Sequence, residues 1–137
     1  MKNKIPGTPE GVILLKYEHP VVAHASYLLV DERTRTALAV DPYGDADRYL
    51  RDAWGFQSTI KHVFLTQAHD DLPLAHLELR DRACATVYAG AWSPSHPHYM
   101  PVKDGDALEF GAVRLRILET PGHHLESIVL LVSDPRE

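Results

Sequence analysis

The order of the apolar segments constrains the fold of this chain most strongly. Residues 25–31 and 36–41 are two short apolar runs around a polar four-residue turn, which is a hairpin pattern, and residues 11–17 also read as a strand. Much later, residues 113–118 alternate strictly between apolar and polar side chains. That alternation predicts a strand with one buried face and one face in water. What lies between these two groups of strands therefore decides the fold class.

Two helices are predicted in the middle of the chain. Asp45 is predicted to cap the first helix, and Gly55 to end it. Its apolar residues recur at helical spacing and form one stripe: Ala46, Tyr49, Leu50, Ala53 and Trp54. A second, well-buried helix is predicted from near Asp71 to about Ala83. The predicted order is therefore strands first, then alternating strands and helices, then strands again.

The remaining segments complete an α/β or α+β domain. Residues 60–66 and 85–89 read as strands around the second helix, and residues 90–103 read as a proline-containing loop. Strands are also predicted at residues 108–110 and 127–133. The pattern predicts a layered domain with a mixed sheet, and 137 residues suit a single domain spanning 1–137.

Composition and charge exclude several classes of partner. The net charge is −5 with both signs interspersed, so no nucleic-acid partner is expected. The longest apolar run, residues 128–132, is too short to cross a bilayer, and the basic N-terminus leads to no signal-peptide core. We therefore expect a cytoplasmic protein without a membrane partner. The single cysteine, Cys84, is predicted to be a buried filler, with a reactive thiol as the alternative.

Two histidine-bearing segments follow predicted strands, where α/β proteins place their chemistry. The first reads Thr66-Gln67-Ala68-His69-Asp70-Asp71-Leu72, and the second reads Thr120-Pro121-Gly122-His123. Histidine is the commonest metal ligand, so these segments are candidate metal-binding loops. Four scattered histidines are predicted to be ordinary surface or core-edge residues: His19, His24, His62 and His76. His96 and His98, in the proline-containing loop, are predicted to be solvated, and the His124 side chain is expected to point away from that of His123.

The two segments resemble the metal-binding loops of the metallo-β-lactamase superfamily, in which a strand ending in Thr leads into His-x-His-x-Asp-His and a later loop reads Thr-Pro-Gly-His. The stretches 26–31, 39–42, 87–90 and 102–106 are similar to the glyoxalase II and persulfide dioxygenase branch, and most similar to its persulfide dioxygenase members. The resemblance covers residues 11–133, nearly the whole chain.

The resemblance implies a degraded metal site. Gln67 stands where the first histidine is expected, and Leu72 stands where the last one is expected. His69, Asp71 and His123 match ligand positions. If the site worked, Asp71 would be its catalytic carboxylate. The alternatives left open are hydrogen-bonded scaffolding or weak metal binding for His69 and His123, and a helix N-cap for Asp71.

The resemblance also implies a four-layer αββα sandwich built from two similar halves. The chain is expected to supply the first half and the start of the second, so the domain would be truncated at its C-terminus, with the next carboxylate ligand beyond Glu137. An incomplete sandwich would leave an apolar sheet face uncovered. We therefore expect a homodimer or a missing complementary domain, and the family suggests a rhodanese-type partner.

Two functions follow from these expectations. The first is a non-catalytic pseudoenzyme or interaction module, with no cofactor and with a link to sulfur metabolism by family analogy alone. The alternative is a hydrolase of the thioesterase or glyoxalase II type, or a persulfide dioxygenase, with one zinc or iron ion at an atypical mononuclear site.

Overall fold

The computed structural model describes residues 11–19, 24–66, 75–90, 99–111, 113–119 and 128–133. In chain order, they form nine strands and two helices: β1 (Val12–His19), β2 (His24–Asp31), β3 (Thr36–Val40), α1 (Ala46–Gly55), β4 (Thr59–Phe64), α2 (His76–Ala83), β5 (Thr86–Gly90), β6 (Tyr99–Val102), β7 (Ala107–Phe110), β8 (Val113–Glu119) and β9 (Ile128–Ser133).

The larger sheet has six strands in the order β1-β2-β3-β4-β5-β6. Its first three strands pair antiparallel as a meander, whereas β3, β4, β5 and β6 run parallel to one another. The predicted hairpin is confirmed, with Asp31 paired to Thr36 at its closed end. The mixed sheet that the segment order predicted is therefore present, and the carboxyl ends of its parallel strands share one edge.

Strand β6 differs from the prediction, because its residues fall in the segment that the sequence pattern indicates as a loop. It carries Pro101, which has no backbone N–H to contribute to a ladder. Among the described strands β6 lies at the edge of the sheet, where only one side needs hydrogen bonds, and proline is tolerated there.

Helix α1 forms much as predicted, but its ends and its exposed face differ in detail. The Asp45 carboxylate caps it by accepting the Asp47 N–H at 2.9 Å. Gly55 is the last helical residue, while the left-handed conformation beyond the end falls on Gln57 (φ 55°). Trp54 was predicted to lie on the buried stripe but is 77% exposed. It lies about 80° around the helix from Ala46, outside the arc that faces the sheet.

Helix α2 is shorter and more exposed than predicted. Ala75 precedes it in a non-helical conformation, so the helix begins at His76 rather than near Asp71. Only Leu79 is fully buried, and Leu77 is exposed. Cys84 was predicted to be buried but is exposed, because it takes the left-handed conformation (φ 55°) that ends the helix. Neither described helix has the length and apolar character that spanning a membrane requires.

The smaller sheet is antiparallel, with the order β7-β8-β9, and it packs against one face of the larger sheet. The core between the sheets contains aromatic and aliphatic side chains from both, including Phe64, Tyr88, Phe110, Leu115 and Ile117. A second core lies under the helices on the opposite face and includes Tyr17, Leu28, Tyr49, Val63 and Leu79. The described residues therefore form three layers, helix, sheet and sheet, which are three of the four layers expected of a metallo-β-lactamase-like sandwich.

A glycine contact fixes how the two sheets meet. Gly111, in the turn between β7 and β8, has φ +57°, and a Cβ there would lie 2.6 Å from the Asp31 carboxylate and too close to the Thr34 hydroxyl. The turn at Gly111 thus fits directly against the closed end of the β2–β3 hairpin. Because Asp31 is fully buried and accepts the Arg33 N–H at 3.0 Å, it has no room to move.

Candidate functional site

The candidate site lies at the edge where the parallel strands end. Asp41 follows β3, and Thr66 follows β4, so both residues leave the sheet at the same level. The Asp41 carboxylate accepts the Thr66 backbone N–H at 2.9 Å and also contacts the Thr66 hydroxyl. The first residue of the predicted metal motif is therefore held by a buried carboxylate on the neighbouring strand end.

Asp41 adopts an uncommon backbone conformation to make these bonds. Its φ is +48°, and the residue is only 6% exposed. Its own N–H donates to the Phe64 carbonyl at 2.9 Å. Non-glycine residues persist in the left-handed region when surrounding contacts over-determine them, and such residues cluster at functional sites. Aspartate tolerates this region better than most residues.

Ala75, where the described chain resumes after the motif segment, is held at the same place. The Ala75 N–H donates to the Pro42 carbonyl at 2.9 Å. The dipeptide Asp41-Pro42 therefore binds both Thr66, where the motif segment begins, and Ala75, where the described chain resumes before α2. Asp41 and Pro42 were not predicted to be site residues, although the resemblance included the stretch 39–42.

Strand β8, which precedes the second candidate segment in the chain, ends at the same edge. Strand β8 begins beside Gly111, which packs against the hairpin end of the larger sheet, opposite the Asp41 edge. A second observation agrees, since β6 is parallel to β5 and therefore ends at the Asp41 edge. The short turn 103–106 connects β6 to β7, and the Asp106 carbonyl in this turn accepts the Ile117 N–H near the end of β8. Stacked sheets keep their strands within about 30° of each other. Strand β8 therefore runs toward the Asp41 edge and ends at Glu119, and residues 120–123 lie outside the described residues.

The predicted ligands themselves lie outside the described residues. This applies to Gln67, His69, Asp71, Leu72 and His123. Their roles, whether metal-ligating, catalytic or scaffolding, stay predictions from the sequence. What the structure adds is the frame around them, with Asp41, Pro42, Thr66 and Ala75 at one strand edge.

One acidic cluster lies within the described part of the chain. Oxygen atoms of Asp45, Asp47 and Glu78 lie within 4.8 Å of one another, at the N-terminal turns of α1 and α2. Arg82 offsets one of these three negative charges, because its guanidinium lies 2.5 Å from Asp47 and 2.9 Å from Glu78. The two bonds raise the pKa of Arg82. The cluster could hold a cation only if Arg82 moved away, and the side chains are exposed, so we assign it no function.

Three histidines that were predicted to be ordinary have specific partners. His19 Nε2 lies 2.8 Å from Ser26 Oγ, and His76 Nε2 lies 2.7 Å from the Tyr99 hydroxyl. His62 lies between the sheets, with Nδ1 3.1 Å from the Tyr88 hydroxyl. Burial, with a smaller contribution from the Lys61 charge, lowers the pKa of His62. No sequence pattern distinguished these three from the other histidines.

Comparison with known proteins identifies relatives of this fold. No family model matches the chain. It is 34% identical over 92 residues to a hydroxyacylglutathione hydrolase from Hahella chejuensis, a match that covers 67% of this chain and 35% of that enzyme. The chain therefore spans about a third of the length of that relative.

Solved structures agree with this result. The crystal structure of ETHE1 from Myxococcus xanthus has a TM-score of 0.81 at 33% identity, covering 88% of this chain and 53% of that one. A metallo-beta-lactamase from Staphylococcus aureus gives a TM-score of 0.82 at 27% identity, covering 91% of this chain and 38% of that one. The chain belongs to the metallo-β-lactamase superfamily, with its relatives in the glyoxalase II and ETHE1-like branch.

Proposed function

We propose that this chain is a metallo-β-lactamase-fold module that has lost catalytic metal binding and acts as a pseudoenzyme or an interaction module. The observation that carries the proposal is the pair of substitutions in the motif: Gln67 and Leu72 occupy positions where the resemblance implies histidine.

The chemistry of these side chains explains why the substitutions matter. A glutamine amide is a weak neutral ligand that does not replace imidazole for zinc or iron, and a leucine side chain cannot coordinate a metal at all. Activating a water at neutral pH requires a firmly held cation, which typically has three protein ligands. By the resemblance, His69 and His123 are two of the three ligands of a first zinc site, and only Asp71 remains of a second, so neither site keeps three ligands.

The second candidate is a metal-dependent enzyme with an atypical mononuclear site. It is favoured by the intact frame, in which Asp41 keeps a strained conformation that serves to hold the motif segment. The names of the relatives point to two chemistries, the hydrolysis of a hydroxyacylglutathione and the chemistry of ETHE1. In this candidate, His69 and His123 would hold one zinc or iron ion with Asp71 nearby.

Metal analysis of protein purified without a histidine tag tests the proposal. We expect zinc and iron well below one equivalent per chain after dialysis against excess metal and removal of free ions. One equivalent of either metal that is lost in His69→Ala, but kept in the control His96→Ala, would refute the proposal and favour the enzyme. His96 is suited to the control because it lies outside both candidate loops.

We also propose that the module associates with a second copy or a complementary domain. Among the described strands, β9 lies at an edge of the smaller sheet, where its outer backbone groups can pair with another strand. The outward face of this sheet is polar, as the 3.1 Å ion pair between Arg114 and Glu109 indicates, so association through the strand edge is favoured over the face. Sedimentation showing a monomer at micromolar concentration would contradict this proposal.

A further inference from the structure

The turn that follows β3 has an anchor that the motif does not explain. Tyr49, on α1, is fully buried, and its hydroxyl contacts both backbone groups of Tyr43: it accepts the Tyr43 N–H at 2.9 Å and lies 3.2 Å from the Tyr43 carbonyl. Tyr43 comes directly after Asp41-Pro42. The hydroxyl of a helix residue thus fixes the chain at the end of the turn that holds Thr66 and Ala75.

We propose that Tyr49 is a positioning residue for Thr66 and Ala75, the described residues on either side of the motif segment, acting through the turn 41–43. This inference rests on the proposed function only in taking that segment as the functional one, and it holds whether or not a metal binds. The line of contacts runs from the Tyr49 hydroxyl to Tyr43, and from Asp41-Pro42 to Thr66 and Ala75.

The surroundings of the Tyr49 hydroxyl explain why it stays in place. Ser26 Oγ, also fully buried, lies 2.7 Å from it and in turn lies 2.8 Å from His19 Nε2. The His19 ring packs on the Tyr43 ring with centroids 4.6 Å apart. A buried hydroxyl costs free energy unless it is hydrogen-bonded, so this network defines one position for Tyr49 and one for Tyr43.

Core packing alone would not require a tyrosine here. The other buried residues of α1 are the small Ala46 and Ala53, and a phenylalanine at position 49 would fill the same volume. The neighbouring Tyr17 offers a contrast, since its ring lies 4.8 Å from that of Tyr49 but its hydroxyl donates to Asp52 at 2.6 Å, away from the turn. The two tyrosines pack in the same core, but the Tyr17 hydroxyl bonds to a side chain on α1, whereas the Tyr49 hydroxyl bonds to the backbone of the turn.

Amide hydrogen exchange on the full chain tests the proposal, with Tyr49→Phe as the variant and Tyr17→Phe as the control. We expect exchange at the Thr66 and Ala75 amides to be about tenfold faster in Tyr49→Phe, since the variant removes the hydroxyl that accepts the part-buried Tyr43 N–H. Amides of β8 should change less than twofold. In Tyr17→Phe, Thr66 and Ala75 should also change less than twofold.

If Tyr49 only stabilised the fold, its loss would speed amide exchange throughout the protein. Equal acceleration at Thr66, Ala75 and β8 would therefore overturn the proposal, and so would unchanged exchange at Thr66 and Ala75. If Tyr49→Phe does not fold, the wild type decides. The amides of Tyr43, Thr66 and Ala75 should then show the same protection, because they open as one unit. An unprotected Tyr43 amide beside protected Thr66 and Ala75 amides would refute the proposal. Metal content, measured separately, tests the proposed function independently.

Discussion

Removal of the Asp41 carboxylate should destabilise the protein by an amount that the structure allows to be worked out. In Asp41→Ala, the Thr66 N–H loses a charged acceptor at 2.9 Å, and such a bond contributes about 1.5–3 kcal/mol. The alanine must also keep φ near +48°, at a cost of about 1 kcal/mol. We therefore expect a loss of about 3 kcal/mol in the free energy of unfolding.

Two milder variants divide this effect into its parts. Asp41→Asn keeps an acceptor oxygen and tolerates the left-handed conformation, so it should cost about 1 kcal/mol. Thr66→Val removes only the hydroxyl that contacts the carboxylate. A double-mutant cycle between these two variants should give a coupling of about 1 kcal/mol, because the two side chains are in direct contact.

Urea and thermal unfolding followed by circular dichroism measure these effects. A loss of about 3 kcal/mol corresponds to a drop in Tm of roughly 10 °C for a chain of this size. Asp45→Ala is the matched control, since that exposed carboxylate also accepts one backbone N–H, from Asp47, and should cost only about 1 kcal/mol. Equal losses in Asp41→Ala and Asp45→Ala would refute the reasoning that the Asp41 turn is a strained, buried clamp.

Three further predictions concern other parts of the structure. Gly111→Ala should lower the free energy of unfolding in urea by about 3 kcal/mol, because its Cβ would meet the immobile Asp31 carboxylate. The control Gly105→Ala, with φ +88° and open space around it, should cost about 1 kcal/mol, and similar losses in the two variants would argue against the sheet contact. Burial lowers the pKa of His62, so the unfolded chain binds a proton first as pH falls below about 6.5. The free energy of unfolding should therefore decrease as the pH is lowered below about 6.5, and it should decrease less steeply in His62→Gln. Identical pH dependence in the wild type and the variant would contradict this. Cys84 should react completely with a thiol reagent in the native protein, since it is exposed, and slow reaction limited by unfolding would show it to be buried.

The parts of the fold that the sequence predicted are those in which local pattern and tertiary packing agree. The hairpin of β2 and β3, the Asp45 cap and the alternation in β8 all depend on neighbours close in the chain. The predicted start of α2 was wrong because the Ala75 N–H donates to the Pro42 carbonyl, a distant partner that no local pattern reveals. Trp54 was misplaced because apolar character alone does not say which arc of a helix faces a sheet. Cys84 was misplaced because no local pattern shows that it takes the left-handed conformation at the end of α2.

The candidate site divides in the same way. The motif segments could be recognised from residue order, and the resemblance they carry agrees with the relatives found. The hold of Asp41 on Thr66 could not be predicted, because it joins the ends of two parallel strands that α1 separates in the sequence. The Tyr49 hydroxyl contact with Tyr43 is hidden for a different reason, since a tyrosine on a helix stripe reads first as core packing.

The Asp41-Pro42 turn also sets an order of events for a chain emerging from the ribosome. Strands β1, β2 and β3 pair with near neighbours in the sequence, so this meander can form while the later residues are still being synthesised. The turn cannot close until Ala75 has emerged and reached Pro42, and the Gly111 contact must wait still longer. The strained residue at the centre of the site is therefore set late, after the β1–β3 meander has formed.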